Sequence, residues 1–280
     1  MFRLAIIAIM SIAVLGSAVD AKSQSNKNFT AALENYKEGN YQKAATSLDK
    51  LKKHSGTFPE IYNLSGLIKM KEKSYMFAKV EFNKAIDMDP EYAEPYMHRG
   101  DIKFIYMDYE GALNDYKKAL EKNINNDEIH VKLADTYKKM EKFEKALMHY
   151  NKAIKNSPDA AKFAGRAGTF LERSKNRYDR KVLEKALKDI DKAIENDPQN
   201  FKYFYTRSKI YKELDKDNKA MEDLNSAIKL NPQFTDGIIM LAKINKNAGN
   251  EEKACELFNK ARSLGSKQAK YLLSSNCKWP

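Results

Sequence analysis

An all-α fold of seven stacked helical hairpins is predicted for this 280-residue chain by three features of the sequence. Alanine recurs at Ala44, Ala78, Ala112, Ala146, Ala186, Ala220 and Ala254, at an interval of 34 residues broken once by 40. Around each alanine, small and bulky apolar residues follow one another at helical spacing. Between units stand Asp89-Pro90, Ser157-Pro158, Asp197-Pro198 and Asn231-Pro232, where proline stops a helix and pushes its predecessor to extended geometry. Self-similarity at a fixed period means that one supersecondary unit is stacked on copies of itself.

Set in register on the alanines, the units run 25–58, 59–92, 93–126, 127–160, 161–200, 201–234 and 235–268. Twelve residues earlier each unit has a small residue: Ala32, Gly66, Gly100, Ala134, Ser208 and Ala242, with Gly168 placed 18 earlier in the long fifth unit. Four residues later comes a bulky one: Leu48, Phe82, Tyr116, Tyr150, Ile190, Leu224 and Phe258. Seven later the residue is Leu51, Ala85, Ala119, Ala153, Ala193, Ala227 or Ala261. Small residues let two helices approach closely and the bulky one fills the space beside them, so each unit is an antiparallel hairpin. Residues 22–280 are read as one solenoid domain, closed by a capping helix over 267–277.

The N-terminus reads as a secretory signal peptide over 1–21. Arg3 precedes the apolar run Leu4 to Leu15, and Gly16-Ser17-Ala18-Val19-Asp20-Ala21 offers cleavage after Ala21 or, second, after Ala18. An uncleaved anchor is the alternative, although the run is shorter than the roughly 20 residues a span needs. The expected location is therefore outside the cytosol of a bacterium, periplasmic or secreted, with no integral span after cleavage. Disulfides persist there. Cys255 lies 11 residues before Ser266 and Cys277 lies 11 after it, so a capping helix folded back across that turn brings the sulfurs to one height. A Cys255–Cys277 disulfide is expected; two free thiols are the alternative, because packed helix axes often hold Cα atoms too far apart.

With its small, aromatic and proline residues in these slots, the chain resembles the tetratricopeptide repeat family. The second unit matches with Tyr62, Gly66, Ala78, Phe82, Ala85 and Pro90, and the third with Tyr96, Gly100, Ala112, Tyr116 and Ala119. The first unit departs, with Asn28 and Leu51 in the slots of an aromatic and an alanine, and the last has Ser266 for proline. The resemblance implies a non-catalytic protein-interaction scaffold whose first helices line a concave groove. Slot by slot it places there Asn63, Leu67 and Met70; Met97, Asp101 and Phe104; Val131, Asp135 and Lys138; Lys162, Thr169 and Glu172; Tyr205, Lys209 and Lys212; and Ile239, Lys243 and Lys246. The alternative is that some of these side chains only stiffen the packing of neighbouring helices. The family's carboxylate clamp is not expected, since Lys162 and Arg166 fill one pair of its slots but Met97 with Asp101, and Lys132, stand where Lys with Asn, and Asn, are wanted.

Fifty Lys and Arg against 38 Asp and Glu leave a net charge of +12. A basic exported solenoid suits a protein or peptide partner with an acidic segment; an acidic glycan or lipid headgroup, or assembly of a secretion or surface complex, are the alternatives. No nucleic-acid recognition module is present. The extra residues of the fifth unit lie around Arg173 to Lys181, read either as a basic binding loop or as a solvated extension of both helices. Neither catalysis, a cofactor nor a metal is expected. The four histidines have no metal spacing with the cysteines, and His130 occupies an aromatic slot as a packed ring. The close pairs Asp87 with Asp89, and Asp189 with Asp191, are read as caps and solvated faces.

Overall fold

The computed structural model describes residues 27–53, 58–122 and 127–277; the signal-peptide segment 1–21 lies outside them. Among these residues the chain is all α-helix, with fifteen helices and no strand. The first hairpin pairs a helix over 27–37 (α1) with α2 (Tyr41–Lys52). There follow α3 (Pro59–Lys71) with α4 (Tyr75–Met88), α5 (Ala93–Ile105) with α6 (Tyr109–Lys122), and α7 (Asp127–Lys139) with α8 (Phe143–Asn156). Then come α9 (Ala160–Asn176) with α10 (Arg180–Asn196), α11 (Phe201–Glu213) with α12 (Asp217–Leu230), and α13 (Thr235–Asn247) with α14 (Glu251–Ser263), closed by α15 (Lys267–Asn276). By contact density the chain divides into two compact units, residues up to Ile129 and residues from His130 onward.

Helix ends follow local chemistry. Asp89, Ser157, Asp197 and Asn231, each before a proline, cap their helices in extended backbone with φ of -140, -150, -145 and -136°. Within the hairpins, one slot five residues before the recurrent alanine takes a left-handed φ: Gly39, Lys73, Met107, Glu141, Asp215 and Gly249. There the amide three residues past the helix end bonds back to the last turn, as Asp108 N donates to Lys103 O at 2.9 Å and Ser74 N to Lys69 O at 2.8 Å. Repetition thus extends to a strained backbone position.

The core of each unit sits between the two layers of helices. Six of the recurrent alanines are fully buried and Ala254 is 1 % exposed, and the bulky residues four positions on are 2 % exposed or less. A Cβ at Gly100 would stand 2.6 Å from the Tyr116 ring, so beside this aromatic the position has no room for a methyl group, although the same slot holds alanine in other units. Ala112→Leu should overpack the same contact, costing about 1–3 kcal/mol in urea unfolding; a variant as stable as wild type would overturn the register.

The fifth hairpin corrects that register. Three residues, 157–159, join α8 to α9, whereas four join α4 to α5, α10 to α11 and α12 to α13. Helices α9 and α10 have 17 residues each, against 13 and 14 in α5 and α6. The long interval therefore adds seven residues inside the hairpin and drops one before it. Both helices grow by about a turn, so the extra residues extend the helices and make no loop. The fully buried small residue of this hairpin is Ala167, and a Cβ on Gly168 would meet nothing within 4 Å. Lys162, Thr169 and Glu172 were accordingly placed one position out: Thr169 is fully buried, in the slot that Ile102 and Ile210 fill elsewhere.

Candidate binding cleft

A repeated ionic clamp fixes the helices that carry the site. Arg207 on α11 donates Nε and Nη2 to both carboxylate oxygens of Asp223 on α12, at 2.9 and 2.7 Å, and Nη1 to Asp191 on α10 at 2.7 Å. Arg166 repeats this with Asp189 (2.6 and 2.7 Å) and Asn151 (2.7 Å), and Arg99 with Asp115 (both 2.8 Å) and Asn83 (2.7 Å). The planar guanidinium makes both bonds at once and joins three helices. Asp115 and Asp189 are 0 and 4 % exposed, so Asp189 belongs to the packing of α10 and is neither a cap nor part of a solvated face. Asp89 does act at a helix end, accepting from Glu91 N at 2.9 Å. Arg166 and Lys162 are both engaged inside the protein, the latter donating to Ser157 O at 2.6 Å.

In the unit from His130 onward, α9, α11, α13 and α15 border a cleft of about 330 Å³. Tyr205, Lys209, Lys212 and Glu213 from α11 line it with Lys175 from α9, Asp236, Ile239, Met240 and Lys243 from α13, and Gln268 from α15. The ring of Tyr205 is held edge-on to Phe234, centroids 4.8 Å apart. Lys209 lies over that ring, its ammonium 4.1 Å from the centroid, and pairs with no carboxylate among the described residues. Burial and, secondarily, the charge of Lys175 hold its pKa below the usual lysine range. Of the neighbouring cations, Lys212 pairs with Asp217 at 2.9 Å and Lys175 with Glu172 at 3.0 Å. A second hollow of about 370 Å³ lies beside Lys138, Gly168 and Lys175.

The remaining groove positions have local roles. In the unit ending at Ile129, Asn63 and Met97 are buried, 7 and 6 % exposed, and Asn63 donates to the Tyr92 hydroxyl at 2.9 Å. Burial, with Glu94 nearby, pushes the Tyr92 pKa up to about 12. Leu67 and Met70 pack against the cluster of Ala78, Phe82 and Ile102. Asp101 accepts from Tyr116 at 2.8 Å, and Phe104 stands edge-on to Tyr109, centroids 5.5 Å apart. In the other unit Val131 is half-buried, and Asp135 accepts from Tyr150 at 2.6 Å and from Lys138 at 2.9 Å. Asn63, Met97 and Lys162 are thus too enclosed to meet a partner. Tyr205, Lys209 and Lys212 share one cleft.

Sequence reasoning missed Lys175 and Gln268 in the cleft, and the arginine clamps. The spacing of Arg99 to Asp115 and of Arg207 to Asp223, 16 residues in each, was the available signal for the clamps. His130 does pack as a ring: its Nδ1 is 3.1 Å from that of His149, which stacks on Tyr137. Among the described residues, no group of three or more His, Cys, Asp or Glu stands close enough to hold a metal ion.

Paired helices in register, tied by interhelical clamps, define an α-helical repeat protein with a cleft bordered by first helices. Profiles of the tetratricopeptide repeat match residues 108–141, 127–160 and 201–234, so the chain carries tetratricopeptide repeats there. A tetratricopeptide repeat protein from Parabacteroides merdae has the same fold over 91 % of this chain and 99 % of its own, at 18 % identity and a TM-score of 0.69. A repeat-containing protein from Cytophaga hutchinsonii matches over 90 % of this chain and 100 % of the solved part, at 17 % identity and a TM-score of 0.64. YrrB, described as a TPR protein with an unusual peptide-binding site, matches over 69 % of this chain and 97 % of its own, at 18 % identity and 0.50. No curated protein matches the sequence significantly. Proteins of this repeat class are in general scaffolds for protein–protein interaction.

Proposed function

We propose that this chain is a non-catalytic scaffold of the bacterial cell envelope that holds an extended, acidic segment of a partner protein in the cleft between α9, α11 and α13. The observation that carries this is Lys209, a half-buried ammonium with no carboxylate within ion-pair distance among the described residues, set over Tyr205 and beside Ile239 and Met240. A carboxylate arriving there makes the direct ion pair that Asp236 and Glu172, which act on Lys209 from a distance, do not make, and the apolar wall takes a neighbouring side chain. The peptide-binding description of YrrB, a protein of similar fold, agrees with this use of the fold. Export is supported by the signal-peptide pattern of residues 1–21 and by a disulfide near the C-terminus. Among the described residues, no helix is long and apolar enough to cross a membrane.

A photo-crosslinking residue at Tyr205 in intact cells, followed by mass spectrometry, should capture a protein, and Lys209→Glu should abolish the capture; an empty cleft would sink the proposal. Site 104 serves as the comparison, since Phe104 packs on Tyr109. Lys209 also sets the pH dependence. Capture should weaken as pH rises through its lowered pKa, before ordinary lysines lose their charge. The unfolded chain binds this proton more tightly than the folded one, so stability should rise with pH across the same window. Lys209→Met should therefore gain stability while losing capture, and a variant that keeps full capture would remove Lys209 from the site.

A further inference from the structure

Seven of the eleven large hydrophobic side chains most exposed to solvent fall within residues 76–107, and six of these, all but Met88, gather at one edge of the unit ending at Ile129. Met76, Phe77 and Val80 on the first turns of α4 are 63, 67 and 50 % exposed, and Ile105, Tyr106 and Met107 at the turn after α5 are 46, 57 and 74 % exposed. The Tyr106 ring meets Tyr75 edge-on, centroids 6.2 Å apart, which brings the turn after α5 against the first residue of α4.

The repeats themselves show that this patch is not a demand of the fold. Relative to the recurrent alanine, the slots of Met76, Phe77 and Val80 hold Gln42, Lys43 and Thr46 in the first repeat and Glu252, Lys253 and Glu256 in the last. Met148 is the single bulky apolar residue at those slots in the other six repeats. The turn Ile105-Tyr106-Met107 corresponds to Lys37-Glu38-Gly39 and Lys71-Glu72-Lys73. Met107 also takes the left-handed φ of 62° where glycine is favoured, so an exposed methionine is held there at a local cost.

We infer that this edge is a two-fold interface between copies of this chain. The six side chains expose together on the order of 700 Å², more than the few hundred Å² usual for an apolar patch on a monomer and near the roughly 800 Å² per partner of a stable interface. Charge at the rim is polar rather than uniform. The α3 side carries Lys69, Lys71 and Lys73 with Glu72, and the α6 side carries Asp108 and Glu110. A two-fold axis through the patch sets the basic side of one copy against the acidic side of the other, the self-complementarity an isologous interface needs. An anionic bilayer would face a rim of both signs and gain little from it. The chain's net charge of +12 opposes association only weakly, because repulsion beyond about 8 Å is screened at physiological salt.

Sedimentation equilibrium of the purified full chain with its disulfide intact should give a dimer at micromolar concentration. Phe77→Glu with Met107→Glu should give a monomer of unchanged helical content. Lys71→Glu with Lys73→Glu, and Asp108→Lys with Glu110→Lys, should each weaken the dimer more than tenfold, and a mixture of the two variants should restore it. A photo-crosslinking residue at position 77 in the otherwise wild-type chain should yield a covalent dimer even if the double variant fails to fold. A wild-type monomer throughout, or a dimer untouched by the changes at 77 and 107, overturns the inference. So does a monomer that binds phosphatidylglycerol vesicles, or one that crosslinks only to another protein, through position 77.

Discussion

Asp223→Ala should destabilise the protein by about 3 kcal/mol, the low end of the cost of removing one partner from a buried ion pair. Asp223 has a side chain 6 % exposed and gives both oxygens to Arg207, which is 21 % exposed. Its hydrogen bonds are the first reason the guanidinium holds its proton more firmly than usual. Without the carboxylate, Arg207 keeps only Asp191, 45 % exposed, and a desolvated positive charge remains between α11 and α12. The compensating experiment comes from the chain itself. In the last hairpin the same two slots hold Leu241 and Leu257, 5 and 7 % exposed. Arg207→Leu combined with Asp223→Leu should therefore recover most of the loss, because an apolar pair needs no counter-charge. Urea unfolding of both variants decides; a single variant as stable as wild type would show that the clamp contributes nothing.

Replacing Cys255 and Cys277 by serine should cost about 3 kcal/mol by chain entropy, for a loop of 22 residues. The structure joins the two cysteines with Cα atoms 5.8 Å apart, Cys255 within α14 and Cys277 capping α15. Ala269 and Leu273 of α15 pack into the cluster of Ile244, Phe258 and Ala261, so the cap covers apolar surface the last hairpin would otherwise expose. The change should also reach the cleft, since Gln268 of α15 forms part of its wall. Reduction should lower the unfolding midpoint and weaken capture from Tyr205. Two thiols alkylated in the native protein, or a midpoint indifferent to reductant, would remove the disulfide from the account.

Much of the fold was legible because the repeat constrains it redundantly. Small, bulky and small residues recur in every unit, and a helix face with that pattern packs in only one way. The fifth hairpin was misplaced by one residue because two changes of opposite sign, seven residues gained and one lost, sum to a plausible insertion of six. Gly168 next to Ala167 offered two small residues for one slot, and only the packing distinguishes them. The site was less legible. Tyr205, Lys209 and Lys212 were found by slot, but Lys175 reaches the same cleft only because α9 runs a turn longer than its counterparts.

By itself, then, the sequence determined the class of fold, the hairpin unit and the buried face, since those follow from short-range periodicity repeated along the chain. The partnerships of individual charges were decided by the tertiary structure alone. Arg207 and Lys209 are two residues apart on one helix, yet the first lies between two carboxylates and the second over an aromatic ring with no carboxylate in ion-pair contact among the described residues. A cation's role depends on the distance and burial of groups supplied by neighbouring helices, and periodicity along one chain does not encode either.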